Sequence, residues 1–328
     1  MIKKNNKTND KITFSQKVKE EIADQVSSAR HCRLAELAGM LSFGGEIVES
    51  NRGKYIRFQT ESITIARKYF TLIKKTFNIN VEISIRTQKQ VKDNISYLLL
   101  LMDESEIIKI LQACKLPYKD LSQGAIGKAD QIVVQKTCCK RAFLRGAFLL
   151  SGSISNPIKS YHLEIVSNNK EKSEHLRDLI KTFYIDAKIV VRKNNYVVYV
   201  KEGSQIVDFL NVIEAHVALM DLVNVRIIKD MRNTINRQVN CEAANINKTV
   251  IASKKHIEDI VYIRDHVGFG NLSKGLKDIA ILRVEHPDAS LKELGTMLSP
   301  QIGKSGVNHR LRKLSMMADH YREHKEEE

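Results

Sequence analysis

The residues with the clearest chemical vocabulary lie near the C-terminus, in the run Lys304-Ser-Gly-Val-Asn-His-Arg-Leu-Arg-Lys313, which holds four bases and no acid. Read as a helix, it places Val307, Leu311 and Leu314 at i, i+4 and i+7 on one apolar face. The opposite face then carries Ser305, Asn308, His309 and Arg312, with Arg310 and Lys313 on its flanks. Asn and Arg can make paired hydrogen bonds to the edges of adenine and guanine, while Lys304, Arg310 and Lys313 are suited to phosphate. The chemistry is recognition of double-stranded DNA. Asn308, His309 and Arg312 are the expected base readers, and His309 has two further readings, a phosphate contact or packing against the turn. The competing reading of the whole stretch is an ordinary helical hairpin with a solvated basic face.

Such a helix needs partners to position it. A shorter helix precedes it, with Asp288 or Ser290 as N-cap and Leu291, Leu294 and Leu298 on one side. Ser299, Pro300 and Gly303 end that helix and give the tight turn of a helix-turn-helix. In that motif the second helix enters the major groove. Two further helices are expected upstream: Ala252–His266, apolar at Ile257, Ile260, Val261 and Ile263 and stopped by Gly268-Phe-Gly-Asn271, and then Leu276–Glu285. A helix-turn-helix cannot bury its own apolar face, so these complete an all-α bundle over 252–322, with the motif at about 289–320 and a charged tail at 323–328.

Residues 223–251 read as a linker helix region. Arg226, Lys229 and Arg237 fall roughly on one side of it. They are either phosphate contacts or the solvated face of a connector. Asn240, Asn245 and Asn247 read as caps and turns.

The chain of 328 residues has room for two or three domains, and its net charge of +15 favours a polyanionic partner. No apolar run approaches the ~18–20 residues that cross a bilayer, so a membrane role is not expected. Residues 1–13 are basic without a following apolar core, which reads as a disordered arm rather than a secretory signal. The five cysteines, Cys32, Cys114, Cys138, Cys139 and Cys241, show no spacing typical of zinc ligands and read as reduced, buried thiols. No metal and no cofactor is expected.

Upstream of the linker the chain repeats itself. At an offset of 107 residues, Cys32, Ala35, Leu37, Gly39, Gly45 and Ile47 recur as Cys139, Ala142, Leu144, Gly146, Gly152 and Ile154. Lys75–Ile83 recurs as Lys181–Ile189, Tyr97–Leu101 as Tyr196–Val200, and Ile107–Leu111 as Ile206–Leu210. This is a duplication, with one copy at about 30–113 and the other at about 137–215, inside a domain spanning 14–222. Each copy reads αββαββα. Lys54–Thr60 alternates, with Ile56 and Phe58 to one face, and Val81, Ile83 and Ile85 alternate with polar residues. Each sheet should have one face under helices and one open polar face. Gly39 and Gly146 lie inside helices, where Gly costs about 1 kcal/mol relative to Ala. That cost fits two helices packed backbone to backbone in a pseudo-dimer, whose open sheets form a saddle.

Leu37-Ala-Gly-Met-Leu-Ser-Phe-Gly-Gly45 and Leu144-Arg-Gly-Ala-Phe-Leu-Leu-Ser-Gly152 resemble the paired signature helices of LAGLIDADG homing endonucleases. The resemblance implies a metal-binding acid before the last Gly of each helix. Gly44 and Ser151 stand there, so the scaffold is expected without the cleavage chemistry, and Glu46, two residues on, has only Ser153 as counterpart. With the helix-turn-helix, the chain from about Phe14 to Arg322 resembles the WhiA proteins, bacterial DNA-binding regulators linked to sporulation and cell division. Phe143–Phe148, Ser160–Ile165, Val239–Val250 and Ser305–Lys313 carry that resemblance most specifically. It implies an α+β fold and a non-enzymatic, sequence-specific transcription regulator in the cytoplasm, associated with the nucleoid. The alternatives are a platform that binds another transcription or cell-division protein through the repeats, and a residual metal-dependent endonuclease.

Overall fold

The computed structural model describes residues 12–51, 53–88, 94–117 and 124–325. Most of the expected basic arm, and residues 326–328 of the tail, lie outside the described residues. The chain divides into two compact units, Met1–Lys229 and Asp230–Glu328.

The first unit opens with α1 (Phe14–Ala23), where Thr13 and Gln16 form a capping box. The first repeat follows as α2 (Arg30–Gly44), β1 (Gly45–Ser50), β2 (Gly53–Thr60), α3 (Ile63–Phe77), β3 (Glu82–Gln88), β4 (Asn94–Leu101) and α4 (Glu104–Ala113). A two-residue strand, β5 (Gly124–Ala125), and a 3-10 turn at Gln131–Val134 lead to the second repeat. That repeat is α5 (Thr137–Ser151), β6 (Gly152–Ile154), β7 (Leu163–Ser167), α6 (Lys170–Lys181), β8 (Lys188–Arg192), β9 (Asn195–Val200) and α7 (Gly203–Val212). Both copies are αββαββα, and the two antiparallel sheets share one strand order, β3-β4-β2-β1 and β8-β9-β7-β6. β5 extends the first at β1.

The paired glycine helices form the centre of this unit. A Cβ on Gly39 would overlap the Phe143 carbonyl oxygen and come within 3.1 Å of the Ala147 nitrogen. A Cβ on Gly146 would overlap the Glu36 carbonyl oxygen and come within 3.0 Å of the Met40 nitrogen. The reciprocity marks the local two-fold between α2 and α5. Ile56 and Phe58 are fully buried on the helix side of the first sheet, and Phe58 stacks on Tyr69 of α3 with ring centroids 4.0 Å apart.

Val81 is buried just ahead of β3, but the alternation expected at Ile83 and Ile85 holds as a strand and not as burial. Ile83 and Ile85 pair with Leu99 and Tyr97, yet remain 53% and 63% exposed. They lie on the edge strand, where the sheet extends past its helical cover.

Between the helices lies an ion pair that the hydrophobic pattern hides. Glu36 of α2 is fully buried and receives Lys68 Nζ at 2.9 Å and Arg145 Nε at 3.0 Å. Arg145, on α5, also pairs with Glu214.

α8 (His216–His266) is a single helix of 51 residues that begins in the first unit and ends in the second. Asn240, Asn245 and Asn247 therefore sit inside a helix and make neither caps nor turns. All residues from 231 to 252 are exposed. The second unit continues with α9 (Lys274–Glu285), α10 (Leu291–Met297) and α11 (Lys304–Lys325). Its core is formed by Ile260, Ile263, Leu276, Ile279, Leu294, Leu298, Val307, Leu311, Leu314 and Ala318. α11 runs three residues past the expected end of the bundle at 322, so part of the tail is helical.

Candidate nucleic-acid interface

α10 and α11 are the two helices of the motif. Ser290 caps α10: its Oγ accepts from Glu293 N at 3.3 Å, and its own N–H donates to Glu293 Oε2 at 2.7 Å. Those bonds hold the Glu293 carboxyl below the usual carboxylate range. The turn closes through Ile302 N donating to Gly295 O at 3.1 Å. A Cβ on Gly295 would overlap the Ile302 carbonyl oxygen, whereas a Cβ on Gly303 meets nothing within 4 Å. The glycine that permits the tight turn is thus Gly295, not Gly303 as the sequence pattern implied.

Val307, Leu311 and Leu314 are buried to 1% exposure or less, as their spacing required. On the rest of α11's first turns, Lys304, Ser305, His309, Arg312 and Lys313 are exposed and Asn308 is half-buried. Arg310 has a different job. Its Nη1 donates to Gly275 O at 3.2 Å, tying α11 to the first turn of α9. The loop before α10 is fixed in turn by buried Arg283, whose Nη1 donates to Ala289 O at 2.8 Å and Pro287 O at 3.2 Å. Farther along α11, Arg322 reaches Asp259 of α8 at 2.8 Å and lies over the Tyr262 ring. These bonds orient the helix and involve none of Lys304, Ser305, Asn308, His309, Arg312 and Lys313.

In the linker region, Lys229 donates to Pro157 O at 2.7 Å and lies over the Tyr161 ring at 4.7 Å. It is thereby part of the first unit's packing. Arg226 is half-buried and Arg237 exposed.

Each open sheet face holds an arginine paired with a carboxylate. Arg57 binds Glu46 with Nε–Oε2 at 3.2 Å, and Arg192 reaches Glu164 at 3.2 Å, where His162 Nε2 also lies at 3.1 Å. Gly44 and Ser151 end α2 and α5, the places expected from the signature pattern. Ser151 Oγ donates to Ala147 O at 3.2 Å, and a Cβ on Gly44 would press on Leu150 at 2.7 Å. The space for an acid at Gly44 is filled by an apolar side chain. Lys172 is buried close by, its Nζ donating to Ser42 O at 2.7 Å. Burial lowers its pKa to about 8.

The cysteines depart from the sequence reading. Cys32, Cys114 and Cys139 are buried, but Cys138 and Cys241 are exposed. His31, Cys32, Cys138 and Cys139 meet at the N-terminal ends of α2 and α5. The duplication carries the signal for that meeting: His31 and Cys138 occupy matching positions in the two copies, as do Cys32 and Cys139.

Three family models match consecutive stretches of the chain: the WhiA N-terminal LAGLIDADG-like domain over residues 30–116, the WhiA LAGLIDADG-like domain over 140–232 and the WhiA C-terminal HTH domain over 235–318. The chain is 57% identical over 314 residues to a "Probable cell division protein WhiA" of Lachnoclostridium phytofermentans, covering 95% of this chain and 100% of that one. A protein of the same name from Alkaliphilus metalliredigens is 48% identical, over 95% and 99% of the two chains. The crystal structure of full-length DUF199/WhiA from Thermatoga maritima superposes with a TM-score of 0.57 at 26% identity, over 94% of this chain and 98% of that one. With a duplicated LAGLIDADG-like unit, a C-terminal helix-turn-helix and relatives matched from end to end, the chain belongs to the WhiA family.

Proposed function

We propose that this chain is a sequence-specific DNA-binding protein that regulates transcription in connection with cell division, chromosome segregation or sporulation, and that it cleaves no DNA. The observation that carries the reading is the division of α11. Its apolar side is fully committed to the core, while Ser305, His309, Arg312 and Lys313 are exposed beside half-buried Asn308. Asn308 and Arg312 are the base readers, His309 a third polar contact, and Lys304, Ser305 and Lys313 the phosphate contacts. Arg310 contributes charge while it anchors the helix to α9. Arg226 and Arg237 extend the phosphate contacts along α8. A protein with this partner resides with the nucleoid in the cytoplasm.

Against nuclease activity stand Gly44 and Ser151, which offer no carboxylate where the scaffold would hold a hard divalent cation. Glu46, the nearest acid in sequence, is bound to Arg57. The same pairing favours a second role for the repeat unit. Two of its open-face arginines, Arg57 and Arg192, are neutralised in place, which suits a docking platform for a transcription or cell-division protein better than a phosphate-following surface.

Selection from a randomised duplex library at near-physiological salt tests the reading, run with the intact chain and with a fragment comprising Asp230–Glu328. Enrichment of the same short motif by both is the expected result. A longer motif with the intact chain would bring the saddle into contact with DNA. No motif with either would overturn sequence-specific binding.

A further inference from the structure

We propose that His31, Cys32, Cys138 and Cys139 form a four-ligand site for a zinc-class divalent cation, which clasps the two repeats together at one end of their shared axis. The site is independent of the DNA-binding reading and uses none of its residues.

The argument begins with symmetry. α2 and α5 start at matching positions, so His31 and Cys138 are second residues of their helices and Cys32 and Cys139 are third. Each helix contributes two adjacent side chains from its first turn. No sequence spacing of the zinc-finger type results, because the second pair comes from the other copy of a duplication and not from a nearby loop. The close glycine contacts at Gly39 and Gly146 bring the two helix starts within ligand range.

The distances fit a tetrahedron. His31 Nδ1 is 3.2 Å from Cys139 Sγ, 3.3 Å from Cys32 Sγ and 4.0 Å from Cys138 Sγ. All four ligand atoms lie within 4.8 Å of one another. Zinc–sulfur bonds of about 2.3 Å and zinc–nitrogen bonds of about 2.0–2.1 Å give nitrogen–sulfur edges of about 3.6 Å in a tetrahedron. The observed separations bracket that value, and small χ adjustments would equalise them.

The chemistry selects the ion. Three thiolates and an imidazole suit a soft or borderline cation and not magnesium or calcium, which take oxygen ligands. Three thiolates around a divalent ion leave one net negative charge. The N-terminal ends of two helices face it, and neither N-cap, Ala29 or Lys136, spends the first-turn N–H groups on a side-chain cap. A helix N-terminus favours a thiolate. Cys32 and Cys139 are buried and His31 and Cys138 are exposed, so an ion can enter from solvent and still be held from inside. Loading transfers the thiol protons to solvent, and no electron changes hands.

The test uses the intact, tag-free chain, stripped with chelator under reductant and then equilibrated with zinc and dialysed. One zinc per chain is expected. Cobalt in its place should give the visible ligand-field bands of a tetrahedral thiolate site. Cys32→Ser with Cys139→Ser should abolish both, while Cys241→Ser leaves them unchanged. Alkylation of the unaltered protein keeps the proposal testable if the double variant does not fold. Cys138 should react when the protein is stripped and be protected when it holds zinc, with Cys241 reactive in both states. Zinc retention below about a tenth of an equivalent would overturn the site, as would Cys138 alkylation that zinc does not slow. Cobalt bands that survive the double substitution would do the same.

Discussion

At the scale of single residues, the side chains that define function and those that define structure can be told apart by what they already touch. Arg312 is exposed, while Arg310, two positions away, is bonded to Gly275 O. Arg312→Ala should therefore leave folding intact and flatten the preference between sites, by about 1–3 kcal/mol if its guanidinium reads a guanine. Competition binding with matched and mismatched duplexes measures this, and an unchanged ratio removes Arg312 from the readers. Lys172 poses the reverse case, a charge with a structural setting. Burial lowers its pKa to about 8, while an unfolded lysine keeps its proton to about pH 10.4. Between those values the folded chain binds fewer protons than the unfolded one, so this residue makes stability rise with pH across that window. The stability gained by Lys172→Met, followed by denaturant melts, should be greatest below pH 8 and shrink as pH approaches 10. A gain independent of pH would show that the ammonium carries no burial penalty.

At the scale of elements, the repeats were legible because their periodicity is dictated by packing on one face. Ile56 and Phe58 alternate because helices cover them, and Val307, Leu311 and Leu314 keep helical spacing because the bundle core needs them. Local pattern fails where neighbours decide the outcome. Ile83 and Ile85 alternate correctly yet stand uncovered at a sheet edge. The asparagines of α8 have turn-forming chemistry but lie within a continuous helix. Glu36 and Arg145, partners distant in sequence, were out of reach, whereas the histidine and cysteines shared between α2 and α5 are signalled only by their matching places in the duplication. The turn of the motif offers a direct comparison. Gly295 abuts the Ile302 carbonyl and lies 3.3 Å from Val307 Cγ2, if a Cβ is added, while Gly303 faces open space. Gly295→Ala should destabilise the C-terminal unit by about 1–3 kcal/mol through overpacking. Gly303→Ala should be close to neutral. Thermal melts of the two variants separate these outcomes, and equal effects would mean that the turn does not depend on that close approach.

For the whole molecule, the two units have separate cores, and their stabilities should separate too. Glu36 is the most sensitive point of the first unit, because it is fully buried between the repeats and balances both Lys68 and Arg145. Removing one partner of a buried ion network leaves uncompensated charge and costs roughly 3–5 kcal/mol. Glu36→Gln keeps the shape but removes the charge and turns one of two accepting oxygens into a donor. It should therefore destabilise the repeat unit by an amount toward that range and lower its melting transition. The second unit owes nothing to this network. Its transition should stay in place, and so should the sequence preference of α11 measured by competition below the first melt. Calorimetry of the intact chain beside the Asp230–Glu328 fragment resolves the two transitions. If Glu36→Gln shifted both transitions together, the units would be energetically one, and the recognition proposed for α11 would be coupled to the paired glycine helices. A shift confined to the first transition would leave α11, and the DNA reading proposed for it, on a fold that does not draw its stability from the duplicated LAGLIDADG-like unit.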